Sequence, residues 1–306
     1  MTSARATPPD CGRTPRYVER LTLPILGIVL LAAVAHAAWN LLAKGGQGGQ
    51  GFVWLYTVAA SVLYLPVLIA ALVIDPGPLG WEAFVFMAGS GVLHTVYASL
   101  LQRGYRTGDL SLVYPLARGT GPLVSTIGAI AFFGERPGVV ALLGGLLVVL
   151  AVLALARPSP EAGGDHRRAA GIAVLTGVAI AGYTLWDKQA VDALALSPLV
   201  YYWGTNTANA VLLTAIVLRG RRSSVALAWR TSRGAAAGVA LLSPLAYVLI
   251  LFALARAPVS AVAPARELSI LLGSVLGTTV LAEGKGAVRF AASAAILLGI
   301  VALTVG

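Results

Sequence analysis

Ten predominantly apolar runs follow one another along the chain, at about 21–43, 52–74, 82–102, 110–133, 138–156, 169–187, 197–218, 235–255, 259–281 and 286–305. Each has roughly the 17–25 residues that a helix rising ~1.5 Å per residue needs to cross ~30 Å of hydrocarbon. The pattern therefore predicts an all-α integral membrane protein of ten transmembrane helices. Several runs contain Gly, Pro, Ser or Thr, which membrane helices tolerate when neighbours satisfy the freed backbone groups. Residues 1–20 are polar and rich in Pro, Thr and Arg, and read as a disordered tail. The longest connections are 157–168 and 219–234, and the first divides the chain near its middle.

The first run has a basic stretch upstream and an Ala35-His36-Ala37 triplet resembling a signal-peptide cleavage site. An internal repeat argues against cleavage. Gly27–Lys44 aligns with Gly171–Lys188 at an offset of 144, with Gly27/Gly171, Leu31/Leu175, Ala35/Ala179, Leu41/Leu185 and Lys44/Lys188 identical. Residues 118–156 match 266–304 without gaps at an offset of 148, pairing Arg118 with Arg266, Glu135 with Glu283 and Gly138 with Gly286. Leu and Ala coincidences are expected in any apolar chain, so the Arg, Glu, Gly and Lys pairs carry the weight. A removable signal would not recur as the sixth helix. The chain thus divides into five-helix halves, 21–156 and 169–306, joined by a linker at 157–168. An odd number of spans per half inverts the second against the first. Inverted repeats are the mark of alternating-access transporters, whose site lies near the midplane between the halves.

Composition agrees and removes alternatives. Hydrophobic residues make up 58% and charged residues 11%, with a mean hydropathy of +0.84. A soluble domain carries about 25% charged residues, so this chain has too few to cover a surface in water. The net charge of +10 is no nucleic-acid footprint. Its basic residues sit mostly between apolar runs, as membrane-flanking anchors do, and no basic stripe interleaves with aromatics. Cys11 is the only cysteine and lies in the tail, and His36, His94 and His166 show no metal-ligand spacing. No metal or other cofactor is expected, and no GxxxxGK[ST] loop for ATP is present.

The HAAWNLLAK segment (36–44), the YPLARGTGPL stretch (114–123), the GERP after the fourth run (134–137) and the two halves resemble the drug/metabolite transporter superfamily, specifically its EamA-type members. The resemblance covers about residues 21–305. It implies a ten-helix fold of inverted repeats around a central cavity lined by helices one to four and six to nine, with helices five and ten peripheral. Members of this family move metabolites, amino acids or drugs, commonly as exporters. The second half departs from the first, with EGKG (283–286) for GERP and APAREL (263–268) for YPLARG.

The candidate site residues are those that hydrocarbon would exclude. Arg118 lies eight positions into the fourth run, roughly 12 Å deep by helix rise. An Arg at a helix centre costs about 2.5–3.5 kcal/mol on insertion scales. Arg266 is its repeat equivalent, beside Glu267. Two guanidinium groups brought towards one central volume would suit a carboxylate or phosphate, bound bidentately. In the structural alternative Arg266 pairs with Glu267, and Arg118 with backbone carbonyls freed near Pro122. Pro115, Pro122 and Pro264 suggest broken helices or ordinary kinks. His36, Trp39 and Asn40 share one face of the first helix, with Tyr183 and Thr184 at the last two of those positions on the sixth. Ser90, His94 and Tyr97 form a further face on the third, and Tyr202, Asn206 and Asn209 on the seventh. Such faces line a wet cavity or supply interhelical hydrogen bonds. His36 and His94 are candidate proton carriers; Glu135 and Glu283 are expected to cap or pair. Arg219, Arg221, Arg222, Arg230 and Arg233 read as a headgroup-binding loop.

These features predict a multi-pass protein of the cell membrane, not an enzyme, that moves a small polar or anionic metabolite with proton or ion coupling. A membrane enzyme on a lipid-linked substrate would need clustered Asp, Glu or His at the interface, and only scattered ones are present. A homo-oligomer is compatible with the sequence. Orientation is contested. The N-tail and even-numbered loops hold seven Lys or Arg and the odd-numbered loops thirteen, which favours termini outside. The resemblance implies cytoplasmic termini, and the run of Arg5, Arg13, Arg16 and Arg20 beside the first span leans the same way.

Overall fold

The computed structural model describes residues 21–44, 46–74, 77–107, 110–155, 166–220, 222–269, 272 and 286–305. The N-terminal tail with Cys11, most of the linker, the far part of the 259–281 run and Glu283 lie outside them. Among the described residues the chain is helical, without strands. The elements are α1 (Leu23–Lys44), α2 (Gln50–Leu63), α3 (Leu65–Ile74), α4 (Trp81–Thr107), α5 (Leu110–Phe133), α6 (Val139–Leu155), α7 (His166–Lys188), α8 (Pro198–Leu218), α9 (Arg222–Leu254), α10 (Val259–Ala265) and α11 (Gly286–Val305). In α7 the helix widens at its end into a π turn, Gln189–Ala193.

Five helical stretches are long and apolar enough to cross a membrane: Leu23–Ala43, Trp81–Gly104, Leu116–Phe133, Arg167–Ala193 and Arg222–Leu254. The α2–α3 pair, bent by 41° around Tyr64, makes a sixth if it is one span. Against the ten expected, α6 and α11 offer shorter apolar stretches, and Asn206 and Asn209 dilute the apolar character of α8. Large side chains such as Leu31, Ile69, Phe84, Phe132, Leu143 and Leu298 face outward. Such a belt belongs in hydrocarbon, and the molecule is a multi-pass helical membrane protein.

Two predicted boundaries moved. The 219–234 connection is not a loop: α9 begins at Arg222 and is kinked at Ser232 (φ −136°). Its Arg222–Thr231 arm carries Arg222 and Arg230, so helical geometry continues outside the predicted apolar run. The Ser232 hydroxyl accepts the Gln47 amide at 2.9 Å. The ninth run is also interrupted, since α10 stops at Ala265 and the backbone turns through Arg266 and Glu267. By contrast, α5 passes Pro122 as one helix.

Helix α1 packs on α9 and α4 on α7; α2 packs on α9 and α4 on α8; α2 meets α8, α5 lies between α7 and α10, and α6 pairs with α11. The α6–α11 contact is close because Gly144 and Gly299 face each other. A Cβ at either would stand 2.6 Å from the other's carbonyl oxygen. Small residues that let backbones touch are the usual means of helix association in lipid.

Candidate functional site

Some of the polar faces predicted from the sequence meet in the structure and others do not, and their roles are unequal. On α1, Trp39 Nε1 donates to His36 Nδ1 at 3.2 Å and Asn40 Nδ2 to the His36 carbonyl at 2.7 Å. The three residues hold one another, and Trp39 also packs towards the cluster of Phe52, Ala228 and Val239.

Arg118 on α5 is 4% exposed, Arg266 5% and Glu267 1%. Arg118 Nε donates to Glu267 Oε2 at 2.9 Å, and its Nη2 to Ser269 Oγ at 3.5 Å. Arg266 Nε lies 3.8 Å from Glu267 Oε1, beyond hydrogen-bond reach. Arg266 Nε and Nη2 and Glu267 Oε1 have no hydrogen-bond partner among the described residues. The repeat-equivalent arginines thus do meet, at one carboxylate. The direct bond goes to Arg118 rather than to the adjacent Arg266, because successive residues on a helical turn do not face each other. Two cations share one anion, leaving one unbalanced positive charge. Both arginines lie close enough to His36 for their charges to act on it, and Arg266 also reaches His94.

Within electrostatic reach of Arg266 is an aromatic group drawn from α4, α7, α8 and α9. His94 stacks on Tyr183 with centroids 4.2 Å apart and meets the edge of Tyr247 at 5.2 Å. Tyr97 stands edge-on to Tyr183 at 5.7 Å, and Tyr202 and Tyr247 are 6.2 Å apart. Tyr64, at the α2–α3 bend, extends the group to Tyr202 at 6.2 Å. His94 Nδ1 lies 2.9 Å from the Ser90 carbonyl. That contact assigns the proton to Nδ1 and makes Nε2 the acceptor.

Other predicted residues serve as fasteners. The Thr184 hydroxyl donates to the Ile180 carbonyl of its own helix at 2.7 Å. Asn206 Nδ2 donates to the Thr57 carbonyl at 3.0 Å and to Ser61 Oγ at 2.8 Å, tying α8 to α2. Asn209 Oδ1 accepts from Thr95 Oγ1 at 2.8 Å, tying α8 to α4. Glu135 caps, but across the halves: the amides of Val259 and Ser260 donate to its carboxylate at 2.7 and 3.0 Å, at the start of α10. An anion there complements the exposed amides and the helix dipole.

The sequence reading missed Asp187, Tyr201 and Tyr247. Asp187 is 0% exposed; the Tyr201 hydroxyl donates to Oδ1 at 2.6 Å, and the Tyr247 hydroxyl donates to Oδ2. An acid closing the 169–187 run was the available signal, masked by its position at a span end. The neighbouring Lys188 Nζ donates to the Leu254 and Ala257 carbonyls at 2.7 and 3.1 Å and pairs with Asp192 at 2.9 Å. It closes the C-terminal end of α9, where carbonyls lack helical partners. A separate groove of about 840 Å³ opens between α2 and α9. Its walls include Trp54, Val58, Leu63, Val225 and Trp229, with Arg222 and Arg230 beside them. None of the predicted site residues lines it.

Neither the sequence models of protein families nor the curated proteins include a match to this chain. Its fold does recur among solved structures, 29 chains of which match. One crystal structure of a protein superposes with a TM-score of 0.73 over 92% of this chain and 96% of the other, at 16% identity. At that identity the likeness establishes the fold alone.

Proposed function

We propose that this chain is a secondary transporter of a small anionic metabolite, built from two inverted five-helix halves of the EamA type and working by alternating access. The observation that carries the reading is Arg266: a buried guanidinium with Nε and Nη2 unpartnered among the described residues, beside a carboxylate already bonded to Arg118. A buried charge left this way is expensive, and a bound anion would neutralise it. The adjoining aromatic group supplies flat apolar walls for the rest of such a ligand.

The packing supports the two-half organisation. Exchanging first-half helices for their second-half equivalents turns α1 on α9 into α7 on α4, and α2 on α9 into α8 on α4. The pairs α2–α8 and α6–α11 map onto themselves. A pseudo-two-fold relation requires these exchanges, and with five spans in each half it inverts the second.

The test is a thermal-shift screen of purified protein against small carboxylates, phosphates and sulfonates, benzenesulfonate among them, followed by counterflow of any hit in proteoliposomes. Anions should stabilise the wild type and exchange across the membrane, and Arg266→Ala should lose both effects while keeping its helical spectrum. If no anion stabilises the protein, or Arg266→Ala responds like wild type, the reading fails.

A further inference from the structure

We propose that Asp187 is a proton-binding site coupled to the anion site, so that one proton and one anion occupy the protein together; this rests on the transporter reading above. The groups that face Asp187 are Tyr201 from α8, Tyr247 from α9 and, through its charge, His94 from α4. On its own helix, Tyr183 is one turn away, and Lys188 and Asp192 pair with each other. Arg266, beyond α10, acts on the same His94, and α5 contributes Arg118, itself bonded to Glu267. The carboxylate is therefore held by two neutral hydroxyls instead of a cation.

Such a seat accommodates both protonation states. As the carboxylate, Asp187 accepts from both tyrosines. When a proton bonds to Oδ1, the neutral acid donates to the Tyr201 oxygen, and Tyr201 turns its own O–H elsewhere. Two acceptors are in place. The Phe86 carbonyl of α4 is 3.3 Å away. The Thr205 hydroxyl, one turn along α8, is buried without a hydrogen-bond partner and flanks the Tyr201 hydroxyl. Losing the proton reverses the rearrangement; the carboxylate keeps both tyrosine donors, and the Thr205 hydroxyl, unpartnered in that state, gains the Tyr201 O–H as a donor in the other.

The two ends of the seat touch different parts of the site. Tyr247 carries the Asp187 hydrogen bond on one side and packs on His94 and Tyr202 on the other, so a ligand among the aromatics shares a residue with the proton site. Tyr201 links α7 and α8 to Phe86 on α4, across the two halves. Charge sets the sign of the coupling. Arg118, Arg266, Glu267 and Asp187 sum to zero with Asp187 ionised and to one positive charge with it protonated. An anion is thus favoured in the protonated state, and by reciprocity anion binding draws in the proton. Proton and anion travel in the same direction.

The test reads proton binding first, without ligand. Infrared difference spectra of the reconstituted protein across a pH titration should show a carboxylic-acid C=O band that disappears in Asp187→Asn and shifts in Tyr201→Phe. It should persist in Asp192→Asn. If Asp187→Asn keeps the whole band, or no band appears in wild type, the proposal is overturned. The second reading is benzenesulfonate affinity, a probe that stays ionised and does not cross the bilayer as a neutral acid. Wild type should lose affinity as pH rises above the midpoint of the band, by up to about tenfold per pH unit, the limit for one linked proton. Asp187→Asn, which imitates the protonated acid, should bind independently of pH. A pH dependence that survives in this variant overturns the coupling. If wild type binds no anion at any pH, the transporter reading fails instead, and the infrared band still decides whether Asp187 binds a proton.

Discussion

Replacing Glu267 by Gln should be among the most destabilising changes available in this protein. The side chain is 1% exposed and is the shared anion of Arg118, at 2.9 Å, and Arg266, at 3.8 Å. Its removal leaves two buried guanidinium groups facing a neutral amide. Breaking a buried pair by removing one partner costs about 3–5 kcal/mol, because the remaining charge is uncompensated. Arg118→Met should cost less. It forfeits a charge-assisted hydrogen bond of about 1.5–3 kcal/mol, but Glu267 keeps a counter-ion in Arg266, which needs to close less than 1 Å to make a direct bond. The two variants therefore differ in residual charge: one leaves two cations without an anion, the other a balanced pair.

Unfolding of detergent-solubilised protein, followed by far-UV circular dichroism during a denaturant titration, measures all three variants in one cycle. The double variant Arg118→Met/Glu267→Gln retains a single buried cation, so its cost should fall short of the sum of the singles by about 1–3 kcal/mol, the coupling expected for residues in contact. Costs for Glu267→Gln below about 1 kcal/mol, or strict additivity, would show that the triad does not hold the halves together. An Arg118→Met variant less stable than Glu267→Gln would refute the spare-counter-ion argument specifically.

Two further outcomes follow from the fasteners. Glu135→Gln removes the anion that receives the Val259 and Ser260 amides and should cost about 1–2 kcal/mol, with faster hydrogen exchange at those two amides. Asn206→Ala removes the α8–α2 ties to Thr57 and Ser61. At roughly 0.6–1.7 kcal/mol for interhelical hydrogen bonds in lipid, it should lower the melting temperature slightly and leave benzenesulfonate affinity unchanged; a loss of affinity without loss of stability would make it a ligand contact.

Helix positions were legible because hydrophobic length is a strong signal, and Leu110–Phe133 and Gly286–Val305 fall on the predicted runs. What hydropathy cannot see is geometry at the ends and breaks. Arg222–Thr231 is helical although it lies outside the predicted run, and the ninth run turns at Arg266 although its apolar pattern continues. Among the site residues, the intramembrane arginines stood out by their cost in hydrocarbon, and His94, Tyr97 and Tyr183 by shared faces. Partner choice was not legible. No spacing rule tells that Glu267 bonds an arginine 149 positions away, or that Glu135 caps a helix 124 positions on. Asp187, masked at a span end, and Tyr247 went unmarked for the same reason, since what singles them out is their contact across α7 and α9.

The repeat alignment, taken with these contacts, exposes an asymmetry. Arginines come from both halves, at 118 and 266, but both carboxylates of the central layer come from the second. Asp187 aligns with Ala43 and Glu267 with Gly119. The break that interrupts the ninth run, at Arg266, is likewise in the second half, whereas α5 passes Arg118 unbroken. A purely architectural repeat would have no reason to confine the acids to one side. In the alternating-access reading the asymmetry has a use. The half that carries Glu267 holds the other half's Arg118, so it governs the contact between them. The same half carries Asp187, hydrogen-bonded through Tyr201 to within reach of α4 in the other half. Charge changes at one group are then felt where the two halves meet, whereas an equal distribution of acids would let the two sides cancel.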